Sequence, residues 1–150
     1  MTGLALALVA ASAALVSHED PITKDTKFYL GEALDIARQG GVPDLLQRCF
    51  AGTWSEDNRH PLYLALIAPW AEASNAFLAS ARVVSLAGNL LTLLLCLGIA
   101  RRRGGESAAV LCGLLLVTNR AFVEHGVVVA CESWWTACAV AAWAYLSWWR

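Results

Sequence analysis

The sequence predicts an all-α, polytopic membrane protein: four transmembrane helices, with interfacial helices in a long first outer loop. Three observations carry this. The 150 residues are 58% hydrophobic and 15% charged, whereas soluble domains carry about a quarter charged residues. The excess sits in uncharged stretches, Thr2 to Ser17, Val83 to Ala100 and Ser133 to Trp149. More than sixty residues separate the first two of them, and loops that long tend to be functional.

Composition also excludes classes. Eleven Lys plus Arg against twelve Asp plus Glu leave a net charge of -1, so no basic face exists to neutralise phosphates and no nucleic-acid partner is expected. A secreted disulfide scaffold is excluded as well. Of the five cysteines, Cys96, Cys112, Cys131 and Cys138 lie in or beside apolar sequence, where Cys behaves as a small hydrophobe, and only Cys49 sits among polar residues. There is no CxxC pair, and His18, His60 and His125 are scattered, so no metal site is expected.

The first span, about 2–17, is short enough to read alternatively as a signal-peptide core, with Ala11, Ser12, Ala13 supplying small residues of the cleavage type. Its leading segment has no Lys or Arg, which favours an uncleaved helix. The second span, about 81–100, best meets the requirement of about twenty apolar residues for a hydrocarbon layer about 30 Å thick. It stops at Arg101, Arg102, Arg103, Gly104, Gly105, a charged, helix-breaking turn. Ser107 to Asn119 offers only thirteen uncharged residues, so the third span is drawn through Arg120, about 107–123. The fourth, about 133–149, ends in Ser147, Trp148, Trp149, Arg150, where indoles and a cation suit an interfacial belt. Trp134 and Trp135 read as anchors of the same kind.

Orientation follows from the basic residues, which accumulate in short cytoplasmic loops. The Arg101 to Glu106 turn holds three Arg and one Glu, while the loop 18–80 holds nine acidic and five basic residues. The long loop is therefore expected outside, both termini in the cytoplasm, and the chain in the cell (inner) membrane.

Within the outer loop, DTKFYLGEALDIAR (Asp25 to Arg38) places Phe28, Tyr29, Ala33, Ile36 and Ala37 broadly on one side, the pattern of a helix lying in the interface. Asp25 or Thr26 would cap its start, and Gly40, Gly41 with Pro43 would end it. In NRHPLYLALIAPW (Asn58 to Trp70), Pro61 fits a first helical turn, which holds Arg59 and His60 ahead of free amide donors suited to anions. Glu132, at the mouth of the last span, is an ionisable group near the membrane surface and a functional candidate on that ground.

These segments resemble the amino-terminal part of the GT-C superfamily of membrane glycosyltransferases, the Rgt-like, aminoarabinose-transferase and protein O-mannosyltransferase group. Asp25, Tyr29, Ala33 and Gly40 match that group's first-loop motif, although Thr26 stands where a Glu is common. RHPLYLALIAPW resembles its HPPLY or KPP segment. ARVVSLAGNLLTLLLCLGIARRRGG resembles its second span and basic turn, and VVVACESWWTACAVAAWAYL the start of its fourth span. Members of the group continue through further spans, so the resemblance implies a fragment or a truncated relative.

What the resemblance implies is transfer of a sugar from a polyprenyl-phosphate donor to a hydroxyl of a lipid, glycan or protein acceptor at the outer face, with inversion. It assigns Asp25 as the base and Arg59 and His60 to the lipid phosphate; Glu132 and Tyr29 are further substrate-binding candidates, Glu132 either to position the acceptor, to orient Asp25 or to hold a metal ion. No cofactor is called for, although a divalent ion is compatible. Plainer readings stand beside these. Asp25 and Glu132 suit helix starts, Tyr29 and Tyr63 suit packing at the interface, and His18, Glu19 and Asp20 form an alternative acidic patch. The other functional class is a noncatalytic four-span subunit or assembly protein that binds a partner through its outer loop.

Overall fold

The computed structural model describes residues 2–18, 24–54, 60–72 and 76–148, and every regular element among them is helical. The order is α1 Thr2–His18, α2 Lys24–Arg38, α3 Gly41–Phe50, α4 Pro61–Ile67 with a 3₁₀ turn Ala68–Trp70, α5 Phe77–Val117, α6 Arg120–His125 and α7 Glu132–Trp148.

As a straight rod the 41 residues of α5 would reach about 62 Å, twice the thickness of a hydrocarbon layer. They do not form a rod. Gly105 interrupts the helix with φ 76° and ψ −169°, a conformation open essentially to glycine alone. The chain then folds back, so that Ala109 shares a buried cluster with Leu93 and Leu97, and an ion pair joins Arg101 to Glu106 across the turn. The charged turn expected from Arg101 to Gly105 thus links two antiparallel arms, 77–104 and 106–117.

The other two long helices complete a bundle. At one end Leu4 of α1 approaches Gly113, and at the other Val9, Ser12 and Ala13 lie beside Ala79, Arg82 and Leu86. Helix α7 runs parallel to the first arm: Trp134 donates from Nε1 to the Val84 carbonyl at 2.8 Å, while the Arg103 guanidinium lies 5.6 Å from the Trp143 ring. Successive segments therefore alternate in direction, and the Arg101–Arg103 turn marks one end. Small residues occupy the crossings, as where helix backbones approach closely in membranes. A Cβ on Gly88 would stand 3.0 Å from the Ser133 hydroxyl. The buried Asn89 side chain satisfies the Phe122 carbonyl.

The opposite end carries the loop helices as a second layer. On α2, Tyr29, Ala33 and Ile36 recur at helical spacing and are all buried. They meet Leu45 of α3 and Tyr63, Leu64 and Ile67 of α4, over Ala81 and the segment Val129–Cys131. Gly40 (φ 120°) and Gly41 (φ 72°) turn α2 sharply into α3. The ion pairs Asp44–Arg48 (2.8 Å) and Arg38–Glu72 (3.6 Å) lie on the outside.

Several expectations change. Among the described residues one helix, Phe77–Val117, qualifies by length and apolar composition to cross a membrane; α1 and α7 have 17 residues each, about 25 Å, so helix length does not establish four spans. The third span, 107–123, is not one helix. Its helix stops at Val117, and the Asn119 side chain accepts from the Phe122 amide to start α6. The apolar side of α2 packs on protein, so it is not simply an interfacial face. Asp25 lies within the first turn of α2, which begins at Lys24, and Pro43 falls in the first turn of α3, a helix the pattern did not reveal. Trp134 is tied to the α5 backbone and is not a free belt anchor. Trp149, Arg150, Glu19 and Asp20 lie outside the described residues.

Candidate functional site

At the end of the bundle away from the arginine turn, the entry to α4 and the entry to α7 face each other across a groove of about 300 Å³. Pro61 occupies the first turn of α4, with His60 just ahead of it in an extended conformation. That conformation throws the imidazole toward α7, where it meets the Trp135 ring edge-on at 4.8 Å and 82°. Leu62 and Tyr63 continue the wall on the α4 side. Cys131, Trp134, Trp135 and Cys138 form the other wall, with Cys131 and Cys138 on one helical face by their seven-residue spacing.

Tyr63 forms the floor. Its hydroxyl is 2.8 Å from Ser85 Oγ and donates at 3.2 Å to the Ala81 carbonyl, which joins α4 to the first arm of α5. Burial raises its pKa well above the usual tyrosine range; the Ser85 hydrogen bond lowers it and the neighbouring Cys131 and Glu132 raise it further. The phenol is therefore neutral over the ordinary pH range. Its ring stands edge-on to Tyr29 at 5.3 Å and 82°.

No family model, curated protein or solved structure matches the chain.

The residues singled out in the sequence fall unevenly. His60 is half-buried in the groove wall. Glu132 is exposed in the first turn of α7, beside Cys131 and close enough to act on Tyr63. Tyr29 is 4% exposed and belongs to the core; its contribution is to hold α2 against α4. Asp25 is exposed on the first turn of α2, one turn before Tyr29, and does not line the groove. Arg59 lies outside the described residues. Among the described residues no three His, Cys, Asp or Glu side chains cluster as metal ligands.

Sequence reasoning missed Tyr63, Cys131, Trp135 and Cys138 as groove residues. The signal was faint: a seven-residue cysteine spacing and two tryptophans on a short span. Which face of that span would be roofed by the loop depends on how α4 docks, and no local pattern encodes that. Chemically, the groove combines apolar walls with one imidazole at the rim and a carboxylate beside it, a setting for an apolar group attached to a polar one.

Proposed function

We propose that the chain is a four-span membrane module of a glycosyltransferase that uses a polyprenyl-phosphate sugar at the outer membrane face, with inversion at the anomeric carbon. The observation that carries this reading is the gathering of the three loop elements at one end of the bundle. Tyr29 links α2 to α4, and His60 links α4 to α7. Asp25, the His60 region and Glu132 are thereby drawn to the end remote from Arg101–Arg103. Alternating helix directions support four crossings with both termini on the arginine side, which is cytoplasmic by the distribution of basic residues.

In this reading Asp25 accepts the proton of the acceptor hydroxyl. Arg59, whose guanidinium binds two phosphate oxygens at once, and His60 stabilise the departing lipid phosphate. Glu132 positions the acceptor, and Tyr29, buried in the core, acts only indirectly by fixing the helix that carries Asp25. The reaction calls for no cofactor.

The test is transfer of labelled sugar from a polyprenyl-phosphate hexose or pentose in membranes containing the protein. Asp25→Asn keeps the shape and loses basicity, so transfer is expected to fall by about 10²- to 10⁴-fold; undiminished transfer rejects the assignment. A noncatalytic four-span subunit is the second reading, favoured by the apolar groove walls and by the position of Asp25 outside them. Absence of transfer from every such donor by the intact membrane protein selects it.

A further inference from the structure

A second cleft of about 340 Å³ opens on the side of the bundle between α1 and the first arm of α5. Arg82 lies in it, half-buried, five residues into α5. Across from it Ser12 of α1 lines the same cleft; this side chain is 3% exposed, and its Oγ has no hydrogen-bond partner among the described residues. A buried hydroxyl without a partner has a definite cost, and a ligand that accepts from it recovers that cost. The remaining walls include Val9, Val83, Leu86 and Val127, and among the described residues that line the cleft Arg82 is the charged one. Val9 and Val83 are also exposed on the outside, Val83 at 65%.

We infer that this cleft binds an anionic glycerophospholipid. A phosphate oxygen accepts from the Ser12 hydroxyl, and the Arg82 guanidinium supplies charge and paired donors. One acyl chain lies along the valines and Leu86. Arg82 is near the end of the arm that carries the loop layer, which is the depth of a headgroup, and basic pockets between spanning helices recognise lipid headgroups in this way. Neither residue belongs to the groove described above. The inference rests on the proposed reading that the α5 arm crosses a membrane.

The test uses the full chain in detergent, with thermal unfolding followed during titration with dioleoylphosphatidylglycerol, dioleoylphosphatidylcholine or inorganic phosphate. Phosphatidylglycerol is expected to raise the midpoint saturably, and the other two to leave it in place. Arg82→Gln is expected to weaken the apparent affinity by about ten-fold or more, Arg82→Lys to restore part of it, and Ser12→Ala to weaken it several-fold while leaving the lipid-free midpoint within a degree or two. Equal response to phosphatidylcholine, or an unchanged response in Arg82→Gln, overturns the site. A full shift with inorganic phosphate alone overturns the lipid assignment in favour of a free-anion site. Extraction of the protein from membranes by alkaline carbonate removes the spanning reading itself, whereas retention with no phosphatidylglycerol selectivity removes only this site.

Discussion

Gly113 and Leu97 are sixteen residues apart, yet a Cβ on Gly113 would fall 2.9 Å from Leu97 Cδ2. On one continuous helix the same pair would be about 24 Å apart. Their contact is the clearest evidence that α5 is a hairpin, and the missing side chain at 113 is what admits both Leu97 and Leu4 of α1.

Gly113→Leu forces extra volume into that crossing. Overpacking of this kind costs about 1–3 kcal/mol, so the unfolding midpoint in detergent should drop. Gly98→Ala, on the same bundle with open space around it, is the matched control and should be neutral or slightly stabilising. Equal midpoints for the two variants would contradict the hairpin contact.

The fold-back also has a topological consequence. Under the proposed four-span reading, reporter fusions after Gly41, Gly104 and Arg150 should place the first outside and the other two in the cytoplasm. Cys96 and Cys112 are the chain neighbours of Leu97 and Gly113, whose contact joins the two arms, so a short bismaleimide should join them in a variant lacking the other three cysteines. After proteolysis at the arginine turn the two arms should then migrate as one species. Separate fragments, or Gly104 outside, reject the arrangement.

Tyr63→Phe removes the hydroxyl that bridges Ser85 and Ala81, at a cost of about 0.5–1.5 kcal/mol, while Ser85 keeps its own bond to the Ala81 carbonyl. The variant also has a pH signature. Because burial holds the folded phenol above its ordinary pKa, the folded state keeps a proton that the unfolded chain gives up above about pH 10. The stabilisation from the protonated phenol is complete below that pH and is lost as pH rises toward the folded value. Alkaline unfolding of the wild type should therefore steepen above about pH 10, and Tyr63→Phe should flatten that limb. An unchanged limb in the variant removes Tyr63 as its source.

His60 and Trp135 hold the two walls of the groove together through an edge-on ring pair. A double-mutant cycle with His60→Ala and Trp135→Ala should give a coupling of about 0.5–1.5 kcal/mol in thermal stability. Additive effects would mean that α4 and α7 are positioned independently.

Much of the architecture was readable along the chain because it depends on local signals. The run Val83–Ala100 ends at a triple arginine followed by two glycines, and only a glycine tolerates the backbone that Gly105 adopts. Pro61 set the start of α4, and the glycine pair at 40 and 41 set the end of α2. Other boundaries misled. Apolar sequence runs on past Val117, but the Asn119 side chain caps a new helix there, and an uncharged stretch does not reveal which of its polar residues will turn inward to cap.

By itself, then, the order of residues determined that this protein is helical, where its longest apolar run reverses, and which side of α2 is buried, since each follows from spacing, charge and backbone freedom within a few turns. Only the tertiary structure decided that the α2 face would be covered by α3 and α4, that Trp134 would bond the Val84 carbonyl, and that Arg82 and Ser12 would share a cleft. Those outcomes depend on how helices distant in sequence dock, and docking is governed by the shapes of facing surfaces, such as the hollows at Gly88 and Gly113, that no single segment contains.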